Sequence, residues 1–210
     1  MVQKVLTINY SDSTCKAGIQ NDLKIFQQND VFGFSVMTHL TTPKEGSKVY
    51  SEFINPKILE QQLDSVFSDG TMDATKIGAI NTIEDLHIMI NFIKTYVLKN
   101  ITLNVRFKNI ELHLRKEIIK ELFPFISVLI LTTQDLSIIT AQKHLNTFDD
   151  LKVAMTNIFF EGVIILEKSS SSNYSYLIKK EQTFFKTKES VESLSALITA
   201  NLGSIDFLLE

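Results

Sequence analysis

Apolar positions along this chain change their period repeatedly, and each change marks an element. Val5, Leu6 and Ile8 form a short apolar run, and Ser11, Asp12, Ser13 and Thr14 break it. Beyond Ala17 and Gly18, Ile19, Leu23 and Phe26 recur at intervals of four and three. This predicts a buried strand, a polar turn and a helix entrance, with the three apolar residues on one helical face. Val31 to Thr38 is β-branched and aromatic and predicts a second strand, closed by the polar stretch Thr41 to Ser47. Asn55 and Pro56 cap and start a helix through Phe67, with apolar residues at Ile58, Leu59, Leu63, Val66 and Phe67. Helical spacing returns over Glu84 to Tyr96, and Ile101 to Phe107 predicts the next strand. Glu111 to Phe123 reads as a helix with a charged, solvated face, stopped by Pro124 before a buried strand at Ile126 to Leu131. A helix at Phe148 to Asn157, a strand at Gly162 to Lys168, an exposed loop at Ser169 to Ser172 and a helix at Ser193 to Asn201 complete the pattern.

Strands alternating with helices predict a three-layer α/β domain with a mainly parallel sheet. In such sheets ligands are held beyond the carboxyl ends of the strands, so the turn after the first strand is the first candidate site. The 210 residues, 44% of them hydrophobic, suit one domain and are too few for two. A net charge of -3, from 21 basic and 24 acidic residues without a basic stripe, argues against nucleic acid as a partner. One cysteine cannot form an internal disulfide, and the apolar stretch in MVQKVLTINY is too short for a signal peptide. The longest apolar run, Phe125 to Leu131, is interrupted by Ser127 and too short to span a bilayer. A cytoplasmic protein without a membrane partner is expected.

Among polar residues, Asp12 can contact a ligand or simply close an Asx turn. Lys76 can face an anion or act as a solvated stem at a strand entrance. His39, His87, His113 and His144 lack metal-ligand spacing, and no metal site is expected. Cys15 beside Lys16 has a neighbour that favours thiolate, although a small residue replacing a glycine is the simpler account.

The opening stretch Lys4 to Asp22 resembles the hydroxymethylpyrimidine and pyridoxal kinases of the ribokinase superfamily. Their first strand runs into Gly-Ser-Asp-Ser-Ser-Gly-Gly-Ala-Gly-Ile-Gln-Ala-Asp-Leu-Lys. This chain keeps Ser11, Asp12, Ser13, Ala17, Gly18, Ile19, Gln20, Asp22, Leu23 and Lys24, and has Tyr10, Cys15 and Lys16 in place of three glycines. Each replacement is expected to narrow the pocket or force another backbone path. Leu63 to Asp69 and Thr75 to Gly78 match the family's passage into Lys-Ile-Gly-Met, so the match covers about the first 80 residues. The resemblance implies a ribokinase-like α/β/α sandwich and a pocket remnant at Asp12, Ala17, Gly18, Thr38, Lys76 and Gly78.

Other family positions depart from the pattern. The glutamine that reads the substrate ring falls on Pro43, which has no side-chain donor or acceptor. The Asp-Pro-Val-Met aspartate, near metal and phosphates, becomes Asn104, a poorer ligand for a hard cation. Of Thr-Pro-Asn-x-x-Glu, which organises magnesium, Thr132 and Asp135 are what remains. The glycine-rich catalytic loop before the late helix is replaced by Thr187 to Glu192, and no glycine lies between Gly162 and Gly203. Backbone N–H groups converge on a transferring phosphoryl only where glycine permits it. Glu189 and Glu192 would repel phosphate there, and loss of even one oxyanion donor costs roughly 10²–10³ in rate.

The resemblance therefore implies a single domain over 1–210 lacking the family's closing C-terminal helices, with no catalytic residue assigned. The family uses Mg-ATP, but no cofactor is expected here. A homodimer, and a small vitamin precursor as ligand, are the expected partners. The expected function is a catalytically inactive, phosphomethylpyrimidine kinase-like binding or regulatory protein. The alternatives are an active hydroxymethylpyrimidine or pyridoxal kinase with an unusual site, and an interaction module whose old pocket is filled by Tyr10, Cys15 and Lys16.

Overall fold

The first strand outlasts its apolar run. β1 spans Lys4–Asp12 and continues through Ser11 and Asp12 because β2, Phe32–Thr42, runs parallel beside it to the end. The register slips between Asn9 and Ser11, and the Thr41 hydroxyl donates to the Ser11 carbonyl at 3.1 Å. The polar break expected at Ser11 therefore begins two residues later, and Thr41 and Thr42 belong to a strand. α1, Gly18–Gln28, follows the turn. The computed structural model describes residues 2–42, 50–68, 70–170, 173–180, 183–187 and 194–201.

The remaining elements are β3 (Tyr50–Phe53), α2 (Pro56–Ser68), β4 (Ala74–Ile77), α3 (Ile83–Thr95), β5 (Ile101–Leu103), α4 (Leu112–Glu117), β6 (Val128–Thr132), α5 (Thr133–Thr140), α6 (Phe148–Thr156), β7 (Val163–Ser170), β8 (Asn173–Lys180), β9 (Thr183–Thr187) and α7 (Leu194–Ala200). They build one nine-stranded sheet in the order β3-β2-β1-β4-β5-β6-β7-β8-β9. The six strands from β2 to β7 in that order are parallel; β3, β8 and β9 are antiparallel to their neighbours. This is the mainly parallel α/β sheet that the alternation of elements predicts.

Several local expectations change. The strand expected to reach Phe107 ends at Leu103, because Val105 and Phe107 turn down into the core and a 3-10 turn, Phe107–Asn109, follows. The helix expected over Glu111 to Phe123 is α only through Glu117; a π turn at Ile118–Leu122 and a 3-10 turn at Phe123–Phe125 bring Ile118, Leu122 and Phe123 onto the core side. Ser169 and Ser170, expected in a loop, pair with Tyr174 and Asn173 in the β7–β8 hairpin.

Helices cover both faces of the sheet. On one face, residues of α2 to α6 pack with Leu6, Ile8, Ile77, Leu103, Leu129 and Leu131. On the other, Ile25 and Phe26 of α1 and Ala196 and Ala200 of α7 meet Val5 and Ala74. A polar group interrupts this second face. Asp22, on α1, is 1% exposed and takes Lys76 Nζ at 2.5 Å, the Thr7 hydroxyl at 2.7 Å and Asn9 Nδ2 at 3.0 Å. Lys76, read from the sequence as facing an anion or as a solvated stem, is 5% exposed because its ammonium is drawn inward to this carboxylate.

A buried charge stripped of its partner is costly, whereas the pair as a whole contributes little net stability. Lys76→Met is therefore expected to destabilise the fold by about 3–5 kcal/mol. The double variant Asp22→Asn, Lys76→Met should lose clearly less than the sum of the two single changes. Urea unfolding midpoints at equal slope measure this; additive losses would contradict a coupled pair.

Candidate functional site

The loop between β1 and α1 is built around Asp12. Its Oδ1 accepts from the Thr14 backbone N–H and hydroxyl, both at 2.8 Å, and its Oδ2 accepts from the Ala17 N–H at 3.1 Å. The Asp12 carbonyl takes the Cys15 N–H, and Gln20 ties back to the Asp12 N–H and to Ser11. Asp12 is 4% exposed, with its carboxylate spent on loop closure. Cys15 has φ +59°, a glycine-type conformation, and its thiol is exposed. Lys16 is also exposed, so neither residue fills a pocket. At Gly18, φ is +67° and a Cβ would fall 2.4 Å from the Tyr10 carbonyl, which leaves glycine as the residue that fits.

Two cavities open at the carboxyl ends of the parallel strands. The smaller, about 260 Å³, is lined by Ala17, Gly18, Lys76, Asn104, Arg106 and Glu167 among others, with Ser195 of α7 at its wall. The larger, about 480 Å³, has Tyr10, His39 and Phe53 on one side and Asn81, Arg106 and Glu111 on the other. Tyr10, Gly78 and Arg106 line both, so the cavities meet at these residues. Tyr10 stacks on His39 with ring centroids 5.3 Å apart, and His39 lies 5.4 Å from Phe53. Such a row of ring faces suits a flat heterocyclic ligand. Asp12 and Thr38 are not among the residues lining these two cavities. Thr38 is buried; its hydroxyl lies 3.1 Å from His39 Nδ1 and its carbonyl accepts from Asn81, so it ties strand to loop.

Electrostatics keep the larger cavity neutral at its aromatic wall. Burial pushes the Tyr10 phenol up, Asp12 and Asp22 push it further, and Arg106 partly opposes them, so Tyr10 stays a protonated donor. Burial holds His39 below its ordinary value. Thr132 and Asp135, which are not among the residues lining the two cavities, form a capping box that starts α5. Asp135 Oδ2 takes the Thr132 N–H at 3.1 Å and its hydroxyl at 2.5 Å, while Oδ1 takes the Lys108 N–H at 3.4 Å. Arg106 reaches Asp135 at 3.9 Å and Glu167 at 3.8 Å, with its side chain half exposed.

Sequence reasoning missed Arg106, Glu167 and the Tyr10–His39–Phe53 stack. A position just past a strand's carboxyl end was the available signal for Arg106; nothing in local spacing brings His39 to Tyr10. Pro43, Glu189 and Glu192 lie outside the described residues.

Comparison with known proteins matches residues 12–209 to the family model for phosphomethylpyrimidine kinase. A hydroxymethylpyrimidine/phosphomethylpyrimidine kinase of Escherichia coli is 35% identical over 99 residues, 47% of this chain and 37% of that protein. The aligned part thus spans little more than a third of the length of this curated relative. The crystal structure of a phosphomethylpyrimidine kinase from Clostridium difficile superposes with a TM-score of 0.85 at 25% identity, covering 99% of this chain and 94% of that one. A pyridoxal kinase from Staphylococcus aureus in complex with ADP gives a TM-score of 0.87 at 25% identity, covering 97% and 81%.

His39 gives the site a pH dependence. Its folded pKa lies below the unfolded value of about 6.5, so the unfolded chain takes up the proton first. The stability contributed by neutral His39 is present above that value and is lost as pH falls through the folded pKa. Thermal unfolding between pH 7.5 and 5 should show this decline, and His39→Gln should flatten that part of the slope; an unchanged slope would contradict the assignment.

Proposed function

This chain belongs to the phosphomethylpyrimidine kinase family, and from that membership we propose that it binds a small heteroaromatic vitamin precursor of the hydroxymethylpyrimidine or pyridoxal type without transferring phosphate to it. The observation that carries the second half is the lack of any glycine between Gly162 and Gly203. Without glycine, several backbone N–H groups cannot converge on a phosphoryl group, and phosphoryl transfer rests almost wholly on such positioning. Asn104, an uncharged amide lining the smaller cavity, supports the same reading. The open cavity beside Tyr10, His39 and Phe53 supports ligand binding over a filled pocket. Binding without turnover suits a sensor or carrier.

A second reading, an active kinase with an unusual site, draws support from the family match running on through residue 209. The two separate in one experiment. Calorimetric titration with hydroxymethylpyrimidine, and then with pyridoxal, should give saturable heat in the absence of magnesium ATP. Incubation with magnesium ATP should yield no phosphorylated product. Product formation would establish the kinase, and silence with both heterocycles would overturn the binding reading.

A homodimer belongs to the same proposal. Light scattering on the purified chain should return twice the mass of one chain, and a single-chain mass would remove the dimer from it.

A further inference from the structure

The resemblance implies magnesium beside acids at the ends of the central strands, and with Arg106 in place the donor set of this chain is a poor fit for that ion. Magnesium needs six oxygens at about 2.0–2.1 Å, and charged oxygens hold it best. Here one strand-end position is the Asn104 amide, and Asp135 already accepts from Thr132 and Lys108. Among the described residues, no group of three or more His, Cys, Asp or Glu side chains gathers to hold a metal.

What lies between the acids is a guanidinium. Arg106 Nη1 is 3.9 Å from Asp135 Oδ2 and its Nη2 is 3.8 Å from Glu167 Oε2. Asp135 and Glu167 stand on different elements, α5 and β7, and Arg106 is the charged residue that lines both cavities. An arginine stays protonated at any working pH, so this positive charge is permanent.

We propose that Arg106 is a tethered cation that holds the place between Asp135 and Glu167 and thereby excludes a divalent metal from the cleft. Its charge repels a second cation and offsets one of the two carboxylate charges without one. Any ligand of this cleft then binds in a metal-independent way. The inference does not depend on the heterocycle reading, because metal exclusion is measured with no organic ligand present.

The test is a Mn²⁺ titration of the full chain, with free metal read by electron paramagnetic resonance and folding checked by circular dichroism. The natural chain and Arg106→Lys should leave Mn²⁺ free. Arg106→Val should bind it about tenfold more tightly or better, the size expected for removing one nearby, partly screened charge. The double variant Arg106→Val, Glu167→Gln should lose that gain. If Arg106→Val fails to fold, Arg106→Gln, neutral and of similar reach, takes its place. Equal Mn²⁺ binding by the natural chain and the neutral variant would overturn the proposal. So would a neutral variant that folds and still leaves the metal free.

Discussion

A carboxylate cannot stay ionised inside this sheet unless an opposite charge meets it, and the rest of the architecture is arranged around that constraint. Asp22 enters from α1 and Lys76 from β4, with Thr7 and Asn9 of β1 completing the shell. Two consecutive elements, β1 and α1, are thereby held in register with β4, whose Lys76 lies 54 residues beyond Asp22. Because α1 is pinned at Asp22, Gly18 is pressed against the Tyr10 carbonyl one turn earlier. Gly18 lines the smaller cavity, and Tyr10 lines both. Hydrophobic packing alone would leave α1 free to slide along the sheet; directional bonds to one carboxylate do not.

The chain is a member of a kinase family, with the ribokinase-like α/β fold of its solved relatives. Within that frame several polar residues are engaged in internal contacts. Asp12 and Asp135 both spend their oxygens on backbone N–H and hydroxyl groups, closing a loop and capping a helix. Lys76 is occupied by Asp22. The charged group left facing both cavities is Arg106. The strand ends thus present a guanidinium 3.9 Å from one carboxylate and 3.8 Å from another.

How far the sequence could be read follows from where each signal resides. α2 and α3 were legible because cap, first turn and apolar stripe agree locally, as in the capping box of Thr82 and Asp85. α5 carries the same signal at Thr132 and Asp135, but family likeness gave those residues a metal role and hid their capping one. β3, β8 and β9 escaped because short antiparallel strands draw their stability from the neighbour they pair with. The burial of Lys76 is likewise a tertiary fact. Its signal was the acid on the apolar face of α1, three residues after Ile19 and four before Phe26, which required a partner. No periodicity brings Arg106 between Asp135 and Glu167, since those contacts join a loop, the first turn of α5 and β7.

The helices on the second face have a dynamic consequence. Among the described residues, Ile25 and Phe26 of α1 and Ala196 and Ala200 of α7 share one apolar cluster with Val5 and Ala74. The smaller cavity is walled by those same two helices, through Gly18 and Ser195. A helix of seven residues opens locally at low cost, so amide protons of α7 should exchange with solvent well before those of β1 and β4. The cleft thus breathes on its own face while the opposite layer stays closed, and a molecule seated there slows the breathing simply by occupying it.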